Sequence, residues 1–425
     1  MPFKVVLINK SDTTGGAAVV SLRLLEALRR NGVDARMLVE EKLSDSPFVE
    51  VAASKLAIKR AFLAERLKIF IANGFNKATL FQIDTGKDGL QLWNHPLVKE
   101  ADIIVLNWVN QGILSLQGVR KMLNLGKAVV WTMHDLWCMT GICHHTGGCN
   151  RFMERCGKCH LLGKKASDKD LSRKVWEEKN RLYEQKNGKL AFVAVSSWLA
   201  EKANQSSLLK DKYLEIIPNA FDLERKVKIA GEGKERIRIL FGAARIDDPV
   251  KGLPVLKRMT WIISERYPEI ADHLELVTFG GVKNKESLEG FGLPVKHLGR
   301  ITGKDAVKDE YLKSDIVVSS SSYETLPGTL VEAQAYGCIP VSLDRGGQKD
   351  IVTHLSTGYL AAYSDEIEEA ASRLAEGVVW ASEIVSDPTY LRDIRERMIR
   401  NIADKFSYNI IARKYIDLFS RLHNK

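Results

Sequence analysis

Two carboxylates, Glu324 and Glu332, stand with seven residues between them in the stretch SSSSYETLPGTLVEAQAYGCIPV, residues 319–341. Between them Pro327, Gly328 and Thr329 read as the opening of a short helix that follows a strand end. A helix start aims free backbone N–H groups at whatever fills the loop, which suits a phosphate. The two carboxylates can hold ligand hydroxyls by charge-assisted hydrogen bonds. The stretch fits a ligand that carries both phosphate and hydroxyl groups.

Other residues of chemical interest lie apart in sequence. Arg245 and Lys251 share the loop ARIDDPVKG and offer two cations to an anionic ligand. His134 ends the apolar run KAVVWTMHD, where an imidazole could hydrogen-bond a sugar or position a transferring group. Gly15-Gly16 lets the backbone approach a ligand closely, or simply packs a helix on a strand. Cys143, Cys149, Cys156 and Cys159 are spaced x5, x6 and x2, with His144, His145 and His160 nearby. A structural zinc on the four thiols is the preferred reading, with disulfides or free thiols as the alternatives. No carboxylate cluster surrounds them, which argues against a catalytic metal.

Positioning such residues takes alternating strands and helices. Residues 4–9 (KVVLIN) read as a first buried strand, followed by the Gly-Gly turn and a helix that stops at Asn31-Gly32. Strands are expected over 35–40, 101–108, 127–135, 190–197 and 213–219, with a helix over 116–125. The alternation restarts with strands over 237–244, 274–281, 295–300, 315–319, 339–343 and 358–361. Helices are expected over 253–267, 305–313, 364–384, 387–406 and 408–423. Residues 54–77 (SKLAIKRAFLAERLKIFIANGFNK) form a basic, apolar helix with Glu65 its single acid; it either docks on anionic lipid or is merely solvated.

With 425 residues the chain is long for one core, and two domains of roughly 200 residues each are expected. The composition shift after Asn219, with Gly231 and Gly233, marks the boundary. The expected division is 1–222 and 223–407, with the last helix, 408–425, packing back on the first domain. The fold class is α/β: two Rossmann-like, doubly wound domains facing a central cleft, with a helical C-terminal tail. No apolar run reaches the ~18 residues of a membrane span, and the N-terminal residues read as a buried strand rather than a signal peptide, so a cytoplasmic protein is expected. Net charge of +10 favours anionic partners. Nucleic acid is excluded as a partner, because no aromatic-interleaved basic platform is present.

In this order the motifs resemble those of the retaining, nucleotide-sugar-dependent glycosyltransferases of the GT-B fold, glycosyltransferase family 4 type. The resemblance is strongest over 237–360 and includes an interdomain element at Pro218-Asn219-Ala220-Phe221-Asp222. It implies that Arg245 and Lys251 grip the donor diphosphate, so that no catalytic metal is needed. Glu332 would accept from the ribose, and Glu324 from the transferred sugar. Leu326, Gly328 and Thr329 would cradle the donor, which would be a UDP- or GDP-sugar. Gly280, Arg300 and Ile301 would border its base and ribose. Gly15, Gly16 and His134 would face the donor–acceptor junction. The acceptor implied is a glycan or lipid-linked glycan in polysaccharide or lipopolysaccharide assembly, with peripheral attachment at the inner face of the cytoplasmic membrane. Three residues depart from the pattern: Asn107 stands where relatives often carry His, Ala220 replaces Gly, and Gln348 follows the Gly346-Gly347 turn. A nucleotide-sugar epimerase of the same fold and a non-catalytic nucleotide-sugar-binding subunit are the alternatives.

Overall fold

The computed structural model describes residues 3–185, 189–223, 236–301 and 303–424. It divides into two compact units: Met1–Phe221 with Tyr408–Lys425, and Asp222–Ser407. Gly231 and Gly233, expected at the boundary, lie outside the described residues.

The first unit is built on β1 (Lys4–Ser11), β2 (Asp34–Glu41), β3 (Val49–Val51), β4 (Ile103–Leu106), β5 (Ala128–Met133), β6 (Leu190–Ala194) and β7 (Leu214–Ile216). They form one sheet in the order β3-β2-β1-β4-β5-β6-β7, every pair parallel. Residues buried on both faces explain why β4 and β5 read as continuous apolar runs. The chain runs outward from β1 to β3 and then returns to β4. The carboxyl ends of β1 and β4 therefore flank a switch point, where such sheets take their ligands.

The helix Tyr408–His423 folds with this first sheet. Its Leu418, Phe419 and Leu422 are fully buried in the same core as Val5, Val105 and Val130. The Tyr415 hydroxyl meets Thr132 Oγ1 at 2.9 Å, and the Tyr408 hydroxyl donates to Glu26 Oε2 at 2.8 Å.

The second unit carries β8 (Ile237–Arg245), β9 (Leu274–Gly281), β10 (Val295–His297), β11 (Ile316–Ser319), β12 (Ile339–Asp344) and β13 (Tyr359–Ala362). Their order is β10-β9-β8-β11-β12-β13, again all parallel, with the switch between β8 and β11. Helices Leu253–Arg266 and Ile367–Ser386 share the core on one face of the sheet.

Several expected elements are shorter than the apolar runs suggest. The 101–108 run yields only Ile103–Leu106, and the strand expected to reach residue 135 stops at Met133. The chain turns there to bury Leu136 and Trp137. The basic helix spans Lys55–Ala72 and ends at Asn73. Glu65, its single acid, and Arg66, expected among the residues of its basic side, are both buried.

Candidate functional site

The carboxyl ends of β8 and β11 gather the residues of the second unit. After β8 the chain forms a short 3-10 turn, Pro249–Lys251, capped by Asp248, whose Oδ1 accepts from the Val250 N–H at 3.2 Å. The serine run after β11 holds this turn: the Ser320 hydroxyl donates to the Lys251 carbonyl at 2.9 Å, and the Ser322 N–H to the Val250 carbonyl at 2.9 Å. Gly252 adopts φ 67°, and a Cβ there would stand 2.0 Å from the Ser320 carbonyl oxygen, so a side chain cannot enter. This packing brings Lys251 to Glu324, with Nζ 2.6 Å from Oε1.

Glu324 is itself fixed by its backbone. Its carbonyl accepts from the Gly347 N–H at 3.0 Å, and it pairs in parallel with Gly346, where a Cβ would meet the Glu324 carbonyl at 2.1 Å. Arg245 reaches Asp248 at 2.7 Å and Asp247 at 3.3 Å. Asp247 in turn accepts from the N–H groups of Lys283 and Asn284, tying the loop after β9 to the loop after β8. The helix Gly328–Ala335 begins behind Leu326 and Pro327, and Glu332 accepts from the Tyr311 hydroxyl at 3.2 Å. Gly280 donates its N–H to the Gly299 carbonyl at 2.8 Å, and the exposed Arg300 crosses above Gly281, where a Cβ would meet its Nε at 2.7 Å. Ile301 follows, half-buried.

In the first unit, Gly15 has φ 94° and precedes the helix Gly16–Arg30. No atom lies within 4 Å of where a Cβ at Gly15 or Gly16 would stand, so the turn borders open space. His134 follows the end of β5, and its Nε2 lies 3.2 Å from Asn107 Oδ1, just beyond β4. Burial pushes the His134 imidazole down to about 4, against the neighbouring Asp135 charge, so the ring is neutral near pH 7.

Beside His134 lies a buried charge network that inspection of the sequence missed. His144 Nδ1 is 2.7 Å from Asp135 Oδ2, and His144 Nε2 is 2.7 Å from Asp84 Oδ2. Arg66 pairs with the other oxygen of Asp84, which also accepts from the Gln111 N–H at 3.2 Å. Asp135 further accepts from the Trp108 indole at 2.9 Å and from the Trp137 N–H at 2.8 Å. Lys179, fully buried, donates to the carbonyls of Trp137 at 2.5 Å and Thr140 at 3.1 Å, closing the same turn from below. No signal in the sequence set Arg66 apart: helical spacing puts it on the same face as Lys55 and Lys59, and only the packing of the segment around Asp84 against it buries it.

The cysteines form no disulfide. The Gly141 N–H donates to Cys156 Sγ at 3.1 Å, and Asp170 accepts from the Cys159 N–H at 2.8 Å. Burial raises the thiols, Cys156 to about 11 and Cys143 and Cys159 to about 12. Among the described residues no three His, Cys, Asp or Glu side chains stand as a metal-holding set, so the expectation of zinc on Cys143, Cys149, Cys156 and Cys159 gains no support from the geometry.

Comparison with known proteins agrees with the architecture. Residues 238–377 match the family described as Glycosyl transferases group 1. The chain is 25% identical over 361 residues to the putative colanic acid biosynthesis glycosyl transferase WcaC of Escherichia coli (strain K12), covering 79% of this chain and 82% of that protein. Its fold is similar to that of Anabaena HepE, crystallised with UDP-glucose (TM-score 0.60, 14% identity, 99% and 100% covered). It is also similar to that of WaaG, a glycosyltransferase involved in lipopolysaccharide biosynthesis (TM-score 0.60, 13% identity, 98% and 99% covered). Fold and match together define a glycosyltransferase of the GT-B fold. Its group 1 glycosyltransferase domain contains Arg245, Lys251, Glu324 and Glu332. Among the described residues no helix is long and apolar enough to cross a membrane.

Proposed function

We propose that this chain moves a sugar from a nucleoside-diphosphate donor to a glycan or lipid-linked acceptor in cell-surface polysaccharide assembly, with retention at the anomeric carbon. The observation that carries the reading is the contact of Lys251 with Glu324 across the loops that follow β8 and β11, with Arg245 ending β8 and Glu332 on the helix Gly328–Ala335, all within the matched domain. Its support for a nucleotide sugar is chemical. Two cations on a tightly held turn suit a diphosphate, and two carboxylates beside a helix start suit the hydroxyls at either end of it.

In the mechanism we propose, Arg245 and Lys251 stabilise the charge that grows on the leaving diphosphate as the glycosidic bond breaks. The N–H groups of Gly328 and Thr329 add partial positive charge there. These groups supply the charge stabilisation a divalent ion would otherwise give. Lys251 is paired with Glu324 and Arg245 with Asp247 and Asp248, so each cation is already aimed before a donor arrives. Glu332, steadied by Tyr311, accepts from the ribose, and Glu324 from the sugar. The acceptor attacks from the face the diphosphate leaves, which keeps the configuration. The first unit would serve the acceptor, through Gly15, Gly16 and His134. The relatives point to polysaccharide assembly: WcaC is named for colanic acid biosynthesis, and WaaG acts in lipopolysaccharide biosynthesis.

The helix Lys55–Ala72 supports attachment to an anionic bilayer at the inner face of the cytoplasmic membrane. Leu56, Leu63, Leu67 and Ile71 are exposed along it, with Phe75 and Phe81 beyond, and Lys55, Lys59 and Arg60 are exposed among them.

The test is a thermal-shift panel of UDP, GDP, ADP and their sugars, followed by NMR of the product formed with the best donor. A midpoint raised by one nucleotide and a product with the donor's anomeric configuration are expected. Inversion at that carbon would overturn retention, and epimerised donor without transfer would overturn the transferase.

A further inference from the structure

We propose that His144 is a positioning residue: held between Asp84 and Asp135, its doubly protonated ring fixes the turn after β5 and so sets His134 for the transfer step. This rests on the reading of His134 as a residue of the reacting site.

A neutral imidazole carries one ring N–H and can donate to one carboxylate only. Both ring nitrogens of His144 lie 2.7 Å from carboxylate oxygens, so the ring holds both protons and a positive charge. Two cations, Arg66 and His144, thus face two anions, the buried Asp84 and the partly exposed Asp135. Glu65 lies 3.7 Å from Arg66 and accepts from the Thr85 and Gly86 N–H groups at 3.0 Å. The backbone repeats the same clamp. Leu136 N–H donates to the His144 carbonyl at 3.0 Å, and Asp84 N–H to the Ile142 carbonyl at 2.8 Å. The turn 135–144 is therefore closed on itself through His144 and tied at Ile142 to Asp84.

His134 is covalently next to Asp135, and its ring meets Asn107, the neighbour of Trp108. Trp108 donates to Asp135 and lies against the His144 ring, with centroids 5.7 Å apart. Removing the imidazolium leaves Asp84 with Arg66 alone and Asp135 without its cation. The field of Asp135 then falls unopposed on His134, raising its basicity, while the turn loses its tie to Asp84.

The experiment uses the full chain with His144→Gln, and with His144→Gln combined with Asp84→Asn, which neutralises one of the two carboxylates that the lost imidazolium faced. UDP release from UDP-glucose is measured below the unfolding transition, and the histidine rings are followed by nitrogen NMR across pH. Expected are a kcat lowered about tenfold or more in both variants with KM for UDP-glucose unchanged, and His134 titrating at higher pH in His144→Gln. Two ring protons on His144 at pH 8 are expected in the unmodified protein. A folded variant with unaltered kcat and unaltered His134 titration overturns the proposal, as does a single ring proton on His144. If the unmodified protein releases no UDP, UDP-glucose is not its donor, and kcat is compared with the nucleotide sugar that the thermal-shift panel selects.

Discussion

Lys251 Nζ stands 2.6 Å from Glu324 Oε1, although 73 residues separate the two in sequence. The pair joins the turn after β8 to the loop before the helix Gly328–Ala335, so the cation proposed for the diphosphate and the acid proposed for the sugar are set by one contact. Lys251→Ala should leave the fold intact, since its side chain is 30% exposed, and lower kcat/KM by about 10²–10³. Glu324→Gln, which keeps the shape but loses the charge, should weaken sugar placement while leaving the affinity for the free nucleotide nearly unchanged. Steady-state kinetics with calorimetric titration of the nucleotide separates the two.

Gly252→Ala should be worse than Lys251→Ala for nucleotide binding. Its Cβ would stand 2.0 Å from the Ser320 carbonyl, and its φ of 67° strains any side chain. The 249–252 turn must move, taking Lys251 with it. A nucleotide affinity equal to that of the unmodified chain would contradict the account of the turn.

The buried histidines set opposite pH limits. Burial opposes charge on His144, but Asp135 and Asp84 raise its pKa to about 10. Its protonated form is favoured by folding, so its contribution is complete below the unfolded value near 6.5 and is lost as pH rises from there through about 10. His134, lowered to about 4, takes up its proton more readily when unfolded, so it destabilises as pH falls from about 6.5 towards 4. Thermal unfolding across pH 4–10 should fall on both sides of neutrality. His144→Gln should flatten the alkaline limb and, by raising the basicity of His134, soften the acid limb as well.

Neutralising Lys55, Lys59 and Arg60 together should cut flotation with vesicles rich in anionic lipid, each charge contributing about 1 kcal/mol near the surface. Leu63→Ser with Leu67→Ser should weaken flotation on neutral and anionic vesicles alike. Flotation unchanged in both variants would remove the membrane surface from the proposal.

Phe419→Ala should destabilise the first unit by about 3–5 kcal/mol, because the ring is fully buried in the core formed with β1, β4 and β5. Denaturant unfolding followed by tryptophan fluorescence measures it.

Much of this architecture was legible because parallel strands buried on both faces leave continuous apolar runs, and because Gly and Pro punctuate the strand ends. The doubly wound order follows from that alternation. The residues at the β8/β11 switch were legible for a related reason: loops after parallel strands converge, so spacing in sequence becomes proximity. The His144 network was not, since a histidine in a cysteine-rich segment reads as a metal ligand and an adjacent Glu-Arg pair reads as solvated surface. Their meaning depends on three segments, around 66, 84 and 144, that meet only in three dimensions. The short run 49–51 was missed as a strand because three residues carry too little periodicity to register.

The closing helix Tyr408–His423 has a consequence for biosynthesis. It supplies Leu418, Phe419 and Leu422 to the core under β1, β4 and β5, yet it begins 187 positions after Phe221, where the rest of that unit ends. On the ribosome, the contiguous unit Asp222–Ser407 is complete before the sheet that precedes it in the chain. That earlier sheet emerges with an apolar face uncovered, and it is sealed only when translation reaches the last helix. Order of synthesis and order of completion are therefore reversed in this protein.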